Sequence, residues 1–131
     1  MRQLGAAQVI DYRLARFEDE VSDVDVVLDL VGSEDYGVRS MPVLRREGTY
    51  IGVPSGVKPE VAAAAKDHGV RAFEFLVEPD GAALTRIARL IDAHAVKVQI
   101  AGVFPLGQVA EAHRQGEAGH AQGKIVLAVS P

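Results

Sequence analysis

Residues 23–32 read DVDVVLDLVG, and this stretch decides the fold. Its central part, residues 25–31, is a nearly continuous apolar run rich in β-branched side chains, and Gly32 closes it. A short run of this kind is typical of a strand that is buried on both faces of a parallel sheet. We therefore predict a strand at residues 25–31, with helical crossovers before and after it, because parallel strands need such connections.

Strand and helix patterns alternate on both sides of this stretch. The other strand candidates share an apolar run that stops at turn residues: 9–12, 48–53, 72–77, 98–104 and 124–129. Helical patterns separate them at residues 34–44, 59–68 and 106–118, and from the N-cap candidate Asp80 onward. The helix after Asp80 carries one apolar stripe that we expect to be buried: Leu84, Ile87, Ala88, Ile91 and Ala95. The alternation predicts an α/β fold with a parallel sheet covered on both faces.

Composition excludes several classes of protein. A net charge of −4 with scattered Lys and Arg argues against nucleic-acid binding. The lack of cysteine excludes disulfides, thiolate catalysis and Cys-ligated zinc within this sequence. No apolar run approaches the ~20 residues of a membrane span, and no signal-peptide pattern opens the chain. We expect a cytoplasmic protein, and 131 residues suit one domain without a firm internal boundary.

Five blocks together resemble the medium-chain dehydrogenase/reductase superfamily, in its zinc-independent, quinone oxidoreductase-like branch. They occur in the family's order and spacing and cover nearly the whole chain: residues 4–12, 23–32, 44–53, 75–81 and 112–127. The resemblance extends to alcohol dehydrogenase-like relatives of the same fold. It implies a Rossmann-type domain, doubly wound and mostly parallel, with strand order 3-2-1-4-5-6.

The resemblance also implies that this domain is incomplete. The phosphate-binding pattern G-x-G-x-x-G needs two glycines one residue apart, and none of the 13 glycines are so spaced. Residues 9–11 correspond to strand 3 and the next three strands to strands 4–6, so strands 1 and 2 and the Gly-rich loop would lie upstream. We therefore expect residues 1–131 to be the C-terminal portion of the nucleotide-binding domain, with residues 124–129 returning to an absent catalytic domain.

Missing neighbours would leave strand edges unpaired. Three arrangements remain open for the edges of strands 3 and 4. The two strands could pair directly, a second copy could exchange a strand, or a partner carrying the upstream half could complete the sheet.

By resemblance, the parent enzyme transfers hydride from NADPH to a quinone or to the β-carbon of an enone, and the cofactor carries the chemistry. Its partners would be a nicotinamide dinucleotide and a small carbonyl or quinone substrate. We predict no catalytic side chain in this part, and weak or absent NADPH binding by the chain alone. The alternative is a non-catalytic piece that acts only by association with the upstream half or with itself.

The family's cofactor contacts carry over to eight positions. Tyr12 would contact the 2′-phosphate of NADPH; the alternative is a surface tyrosine at the sheet edge. The ribose and nicotinamide would be lined by residues that close two strands: Val31, Gly32, Gly52, Val53 and Ser55. The two glycines could instead serve only turns or close packing.

Phe75 and Val77 would meet the carboxamide through backbone groups, or else belong to an interface strand. The resemblance implies a dimer in which residues 72–77 pair with their twofold mate.

Other polar residues have simpler interpretations. The histidines, at positions 68, 94, 113 and 120, show no zinc-binding spacing, so we predict no metal site. Asp11, Asp25 and Asp29 are interpreted as strand-end and polar-face residues rather than as an acid–base cluster. Gly123 and Lys124 do not complete a phosphate loop, because Ile125 follows where Ser or Thr is needed.

Overall fold

The computed structural model describes residues 1–54, 56–119 and 121–129, and its contacts divide the chain into two compact units. In the first unit, Met1–Pro79, a 3-10 turn at Arg2–Leu4 precedes these elements: α1 Phe17–Glu20, β1 Val24–Asp29, α2 Glu34–Arg39, β2 Leu44–Gly52, α3 Pro59–His68 and β3 Arg71–Glu74. In the second unit, Asp80–Pro131, a 3-10 turn at Leu106–Gln108 lies among α4 Gly81–Asp92, β4 Ile100–Pro105, α5 Val109–Glu117 and β5 Lys124–Ala128.

The first unit is built on a parallel sheet in the order β1-β2-β3. Tyr50 stands between Val27 and Ala72, and Gly52 stands between Asp29 and Glu74. The three strands therefore end at the same edge. The α/β class and the parallel sheet are confirmed.

One face of this sheet carries the core. Met41, Tyr50, Val61 and Ala65 are almost fully buried there, with Val27 packed against them. α3 forms at its predicted bounds, because Pro59 begins it at a position that needs no N–H and Gly69 ends it with φ 66°. Its buried side chains, Val61 and Ala65, lie one turn apart and face the sheet.

Side chains on the opposite face of this sheet are more exposed, and the coverage of that face by helices stays a prediction. Val26, Leu28 and Phe73 are each about half exposed. Their positions alternate with the buried ones along the strands, as the pleat requires. Large apolar side chains thus remain in contact with water on this face.

The strand predicted at residues 9–12 does not form. The Asp11 carboxylate accepts the backbone N–H of Arg13 at 3.0 Å and binds its guanidinium at 2.8 Å, which starts a turn. The carbonyl of Asp11 also accepts from Leu14 and Ala15. Direct pairing of residues 9–11 with β1 is therefore wrong, and no described residue pairs with the outer edge of β1.

In the second unit, β4 and β5 form a two-stranded parallel sheet against which α5 packs through Ala112. Asp80 caps α4 as predicted, since its carboxylate accepts the N–H of Ala83 at 2.9 Å. The stripe on α4 is not buried: Leu84 is 68% exposed and Ile87 49%. The sheet of this unit packs on α5 instead. None of the described helices is long and apolar enough to cross a membrane.

Candidate functional site

The carboxyl edge of the β1-β2-β3 sheet gathers most of the predicted site residues. Val31 and Gly32 follow β1, Gly52 ends β2, and Val53 follows it. Phe75 follows β3, and its N–H donates to the carbonyl of Gly52 at 3.0 Å. Ligands of open α/β sheets bind beyond this edge.

Asp29, the last residue of β1, organises this edge. Its Oδ1 accepts the backbone N–H groups of Val31 at 2.8 Å and Gly32 at 2.9 Å. Its Oδ2 accepts the hydroxyl of Tyr50 at 2.6 Å. Its carbonyl accepts the N–H of Val53 at 3.1 Å, so one residue fixes the backbone after two strands.

Asp29 and Tyr50 hold opposite protonation states. The aspartate is 7% exposed, and burial alone would raise its pKa, but the Tyr50 hydroxyl and the two amides outweigh that effect and lower it. Burial, followed by the neighbouring carboxylate, raises the pKa of Tyr50. The carboxylate is therefore ionised and the phenol keeps its proton at neutral pH.

Gly52 allows the loop after β2 to fold back closely. A Cβ at this position would collide with the carbonyl oxygen of Gly56, which has φ +67°. A Cβ on Gly56 would in turn lie 2.8 Å from the Glu74 carboxylate. The packing interpretation of Gly52 is thereby supported, and it does not conflict with a place beside a ligand. Ser55 lies outside the described residues.

Side chains at the edge offer an apolar surface. Val31 is 66% exposed and Leu30 65%, whereas the polar backbone beneath them is held by Asp29. The arrangement presents an ordered loop with its apolar groups outward. It can contact a planar or ribose-like group without moving backbone.

Tyr12 lies elsewhere in the first unit, in the turn that Asp11 starts, and is 73% exposed. It borders an open cavity of about 610 Å³ whose lining includes Arg13, Arg16, Tyr36 and Arg39, and which none of the described edge residues named above lines. Tyr12 therefore lines a cavity beside α2 rather than standing among the residues that directly follow β1 and β2.

The arginines around this cavity are neutralised by carboxylates. Arg39 and Arg16 both bind Glu18, at 2.6 Å, and the guanidinium of Arg39 lowers the pKa of Glu18 to about 2. The same guanidinium lies 5.1 Å from the ring centre of Phe17 and 5.2 Å from that of Tyr36. These contacts hold α1 against α2. The sequence does not predict α1, because the attachment of α1 to α2 depends on a contact between residues 21 positions apart, Glu18 and Arg39.

The sequence predicts a strand at residues 72–77 that would include Val77, but the observed strand is shorter. β3 ends at Glu74, so Phe75 and Val77 lie beyond the strand, and Val77 is 74% exposed. Of the two, only Phe75 is joined to the strand ends, through Gly52.

Sequence reasoning missed the roles of Asp29 and Tyr50. An aspartate followed by glycine three residues later is a spacing at which the carboxylate can accept amides of the next turn. That signal was present in DLVG, but the partner Tyr50 follows only from the register between β1 and β2.

The described residues do not fit a zinc ion. They contain no group of three His, Asp or Glu side chains arranged to hold a metal. Asp11 pairs with Arg13, Asp25 pairs with Arg45, and Asp29 binds amides and a phenol.

Comparisons with known proteins identify the family of this chain. A family model described as zinc-binding dehydrogenase matches residues 4–127. The chain is 32% identical over 129 residues to the chloroplastic NADPH-dependent alkenal/one oxidoreductase of Arabidopsis thaliana, covering 97% of this chain and 30% of that protein. It is 30% identical to the human mitochondrial NAD(P)H oxidoreductase RTN4IP1, covering 98% of this chain and 38% of the relative.

Among solved structures, the quinone oxidoreductase from Coxiella burnetii superposes with a TM-score of 0.88 at 32% identity, over 98% of this chain and 41% of that one. The chain thus spans between 30% and 41% of the length of these relatives.

Proposed function

The chain belongs to the zinc-binding dehydrogenase family, and on that premise we propose that it forms one side of a nicotinamide-dinucleotide site in an oxidoreductase of the quinone or enone reductase type. The observation that carries the proposal is the ordered edge at the ends of β1 and β2. There, Asp29 fixes the backbone of Val31, Gly32 and Val53. Strand ends at such an edge are where dinucleotides bind in this kind of sheet.

The residues at the edge have binding rather than chemical roles. When bound, a nicotinamide cofactor supplies the hydride. Val31 and Val53 would cover one side of the ribose and nicotinamide and exclude water from it. Gly32, Gly52 and Phe75 would let backbone approach the ligand. We assign no catalytic side chain and no zinc-dependent step to these residues.

The edge supplies only part of a dinucleotide site. The glycine pattern that cradles the pyrophosphate does not occur in this sequence, so those contacts would have to come from other residues. We therefore expect NADPH binding by the chain alone to be weak, with a Kd on the order of 1 mM. The activity of the whole relatives is not expected from this chain by itself.

NADPH is proposed over NADH on account of Tyr12. Its phenol is exposed, and the neighbouring Arg13 can exchange Asp11 for a phosphate, because water screens an exposed ion pair and leaves it weak. Tyr12→Phe should weaken NADPH and leave NADH unchanged in calorimetric titrations. An equal effect on both dinucleotides would contradict the assignment of Tyr12 to the 2′-phosphate.

A homodimer through residues 72–77 is also proposed. β3 is the last strand of its sheet in the described chain, and Phe73 and Phe75 are half exposed. An apolar strand at a sheet edge is a template for pairing with a second copy. Glu74→Pro, which removes an N–H that faces away from β2, should shift the mass measured by light scattering to the monomer, whereas Glu74→Ser, which keeps this N–H, should shift it less. An association state untouched by the proline would refute this interface.

One observation favours the alternative, a non-catalytic role by association. Val26 and Leu28 are half exposed on β1, whose outer edge no described residue pairs. A piece that completes its sheet only with an upstream half, or with a second copy, would leave this surface open when alone.

Calorimetry separates the two functions. The chain is titrated with NADPH to about 5 mM, together with Val31→Asp at the edge and, as a matched control, Val103→Asp in β4, which has a similar exposure of 61%. Weak NADPH binding that is lost in Val31→Asp and retained in Val103→Asp would support the proposal that this edge is one side of a dinucleotide site. Micromolar binding would contradict a one-sided site, and no binding at all would favour the association role.

A further inference from the structure

We propose that Tyr50 is a positioning residue: through Asp29 it fixes the backbone amides of Val31 and Gly32, and so holds the loop that follows β1 (residues 30–32) in the form that meets the dinucleotide. The proposal rests on the function proposed above and deepens it. It concerns a residue in the core that lies outside the predicted set of ligand contacts.

The strand register brings the phenol to the carboxylate. Tyr50 stands opposite Val27, and Asp29 lies two residues further along β1 on the same face. The ring is 2% exposed and packs in the core beside Val61. Its hydroxyl is the polar end that reaches Asp29 at 2.6 Å.

The fold makes room for this hydroxyl. Gly37 lies inside α2, where a Cβ would lie 3.1 Å from the Tyr50 hydroxyl oxygen and 2.6 Å from Cγ2 of Val61. Glycine inside a helix is less favourable than alanine. The missing side chain at Gly37 therefore leaves room for Val61 and for the Tyr50 hydroxyl together.

The bond network explains how a buried hydroxyl acts on an exposed loop. Oδ2 of Asp29 is held by Tyr50 and Oδ1 by the amides of Val31 and Gly32, so the carboxylate has one orientation. Without the hydroxyl, a buried anionic oxygen would lack its donor. The carboxylate would turn toward water, and Oδ1 would leave the two amides.

A purely structural role would give a different result. Val61 stabilises the same core by packing and makes no contact with the loop through hydrogen bonds. Val61→Ala therefore lowers the free energy of unfolding while leaving Asp29 oriented. Tyr50→Phe keeps the ring volume and removes only the orienting donor.

The test measures amide hydrogen exchange of Val31 and Gly32 in the ligand-free chain by NMR, relative to the amides of β2. Tyr50→Phe should speed exchange at these two amides about tenfold, as expected for the loss of one charge-assisted hydrogen bond. Val61→Ala should change exchange only as global stability falls, in the loop and the sheet alike. Equal acceleration in both variants, or none in Tyr50→Phe, would overturn the proposal.

Conservative substitution at Asp29 provides a second readout. Asp29→Asn keeps an oxygen for the two amides, so their exchange should be slower than in Asp29→Ala. Equal exchange in these two variants would contradict the orienting role.

The exchange measurement needs no ligand, so it decides the positioning role independently of the proposed function. NADPH titration of the wild-type chain decides the function, and if NADPH binds, Tyr50→Phe should weaken it several-fold more than Val61→Ala does.

Discussion

Removing the Tyr50 hydroxyl tests the energetics of the buried pair. Tyr50→Phe keeps a ring that is 2% exposed in the same place, so the hydrophobic contribution is nearly unchanged. What is lost is a 2.6 Å hydrogen bond to an ionised carboxylate that is itself only 7% exposed. Hydrogen bonds to charged groups contribute about 1.5–3 kcal/mol, so we expect the free energy of unfolding to fall by about 2 kcal/mol at pH 7.

The assay is equilibrium unfolding in urea, followed by circular dichroism, with the double-mutant cycle of Tyr50→Phe and Asp29→Asn. Because the folded-state pKa of Asp29 is lowered, the contribution of its ionised form is present above its ordinary value and is lost as the pH falls through the lowered value. The effect of Tyr50→Phe should therefore shrink in strong acid. The matched control is Tyr36→Phe, a half-buried tyrosine whose ring stacks on Phe17.

A loss below about 0.5 kcal/mol, no larger than that in Tyr36→Phe, would refute the reasoning, because depriving a buried anion of its donor must cost more than removing a hydroxyl from a half-buried ring. A cycle without coupling between Tyr50 and Asp29 would refute it too.

Three further outcomes are expected. The pKa of Glu18 is lowered from 4.5 to about 2, first by Arg39, so the stability that Glu18→Gln removes should be full above pH 4.5 and should vanish as the pH falls to 2; a pH-independent difference in urea midpoints would contradict this. Gly52→Ala drives a Cβ into the carbonyl of Gly56 and should destabilise by about 1–3 kcal/mol; an unchanged urea midpoint would show that the loop yields freely. Asp80→Ala should cost about 1 kcal/mol by uncapping α4 and Asp80→Asn almost nothing, as measured by helicity on heating, and equal losses would count against the cap.

The local patterns of the sequence predict much of the fold. The apolar run before Gly32 forms β1, and the alanine-rich stretch between Pro59 and Gly69 forms α3 at its predicted bounds. These elements depend on propensity, periodicity and terminal residues, which neighbouring positions carry.

The predictions that are wrong concern elements whose outcome depends on neighbours distant in sequence. The strand at residues 9–12 was predicted from its apolar run, yet no described strand lies beside it to pair with it, and Asp11 instead binds the backbone of its own turn. The stripe on α4 has the right spacing, but spacing cannot say which surface covers it, and Leu84 stays exposed.

The candidate site likewise has one part that the sequence predicts and one part that depends on contacts between distant residues. Val31, Gly32, Gly52 and Val53 could be placed at one edge from the resemblance, because strand ends of a parallel sheet meet there. The partnership of Asp29 with Tyr50 could not, because it depends on a register that the residues of β1 and β2 fix only together.

The most direct test of the central claim is a map of amide chemical shifts as NADPH is added to the isotope-labelled chain. The largest changes of chemical shift are expected at Val31, Gly32 and Val53, on the edge that Asp29 organises. These changes should saturate only at NADPH concentrations of about 1 mM or above. Shifts centred on β4, β5 and α5 instead, with these three amides unmoved, would contradict the claim that this edge is one side of the dinucleotide site.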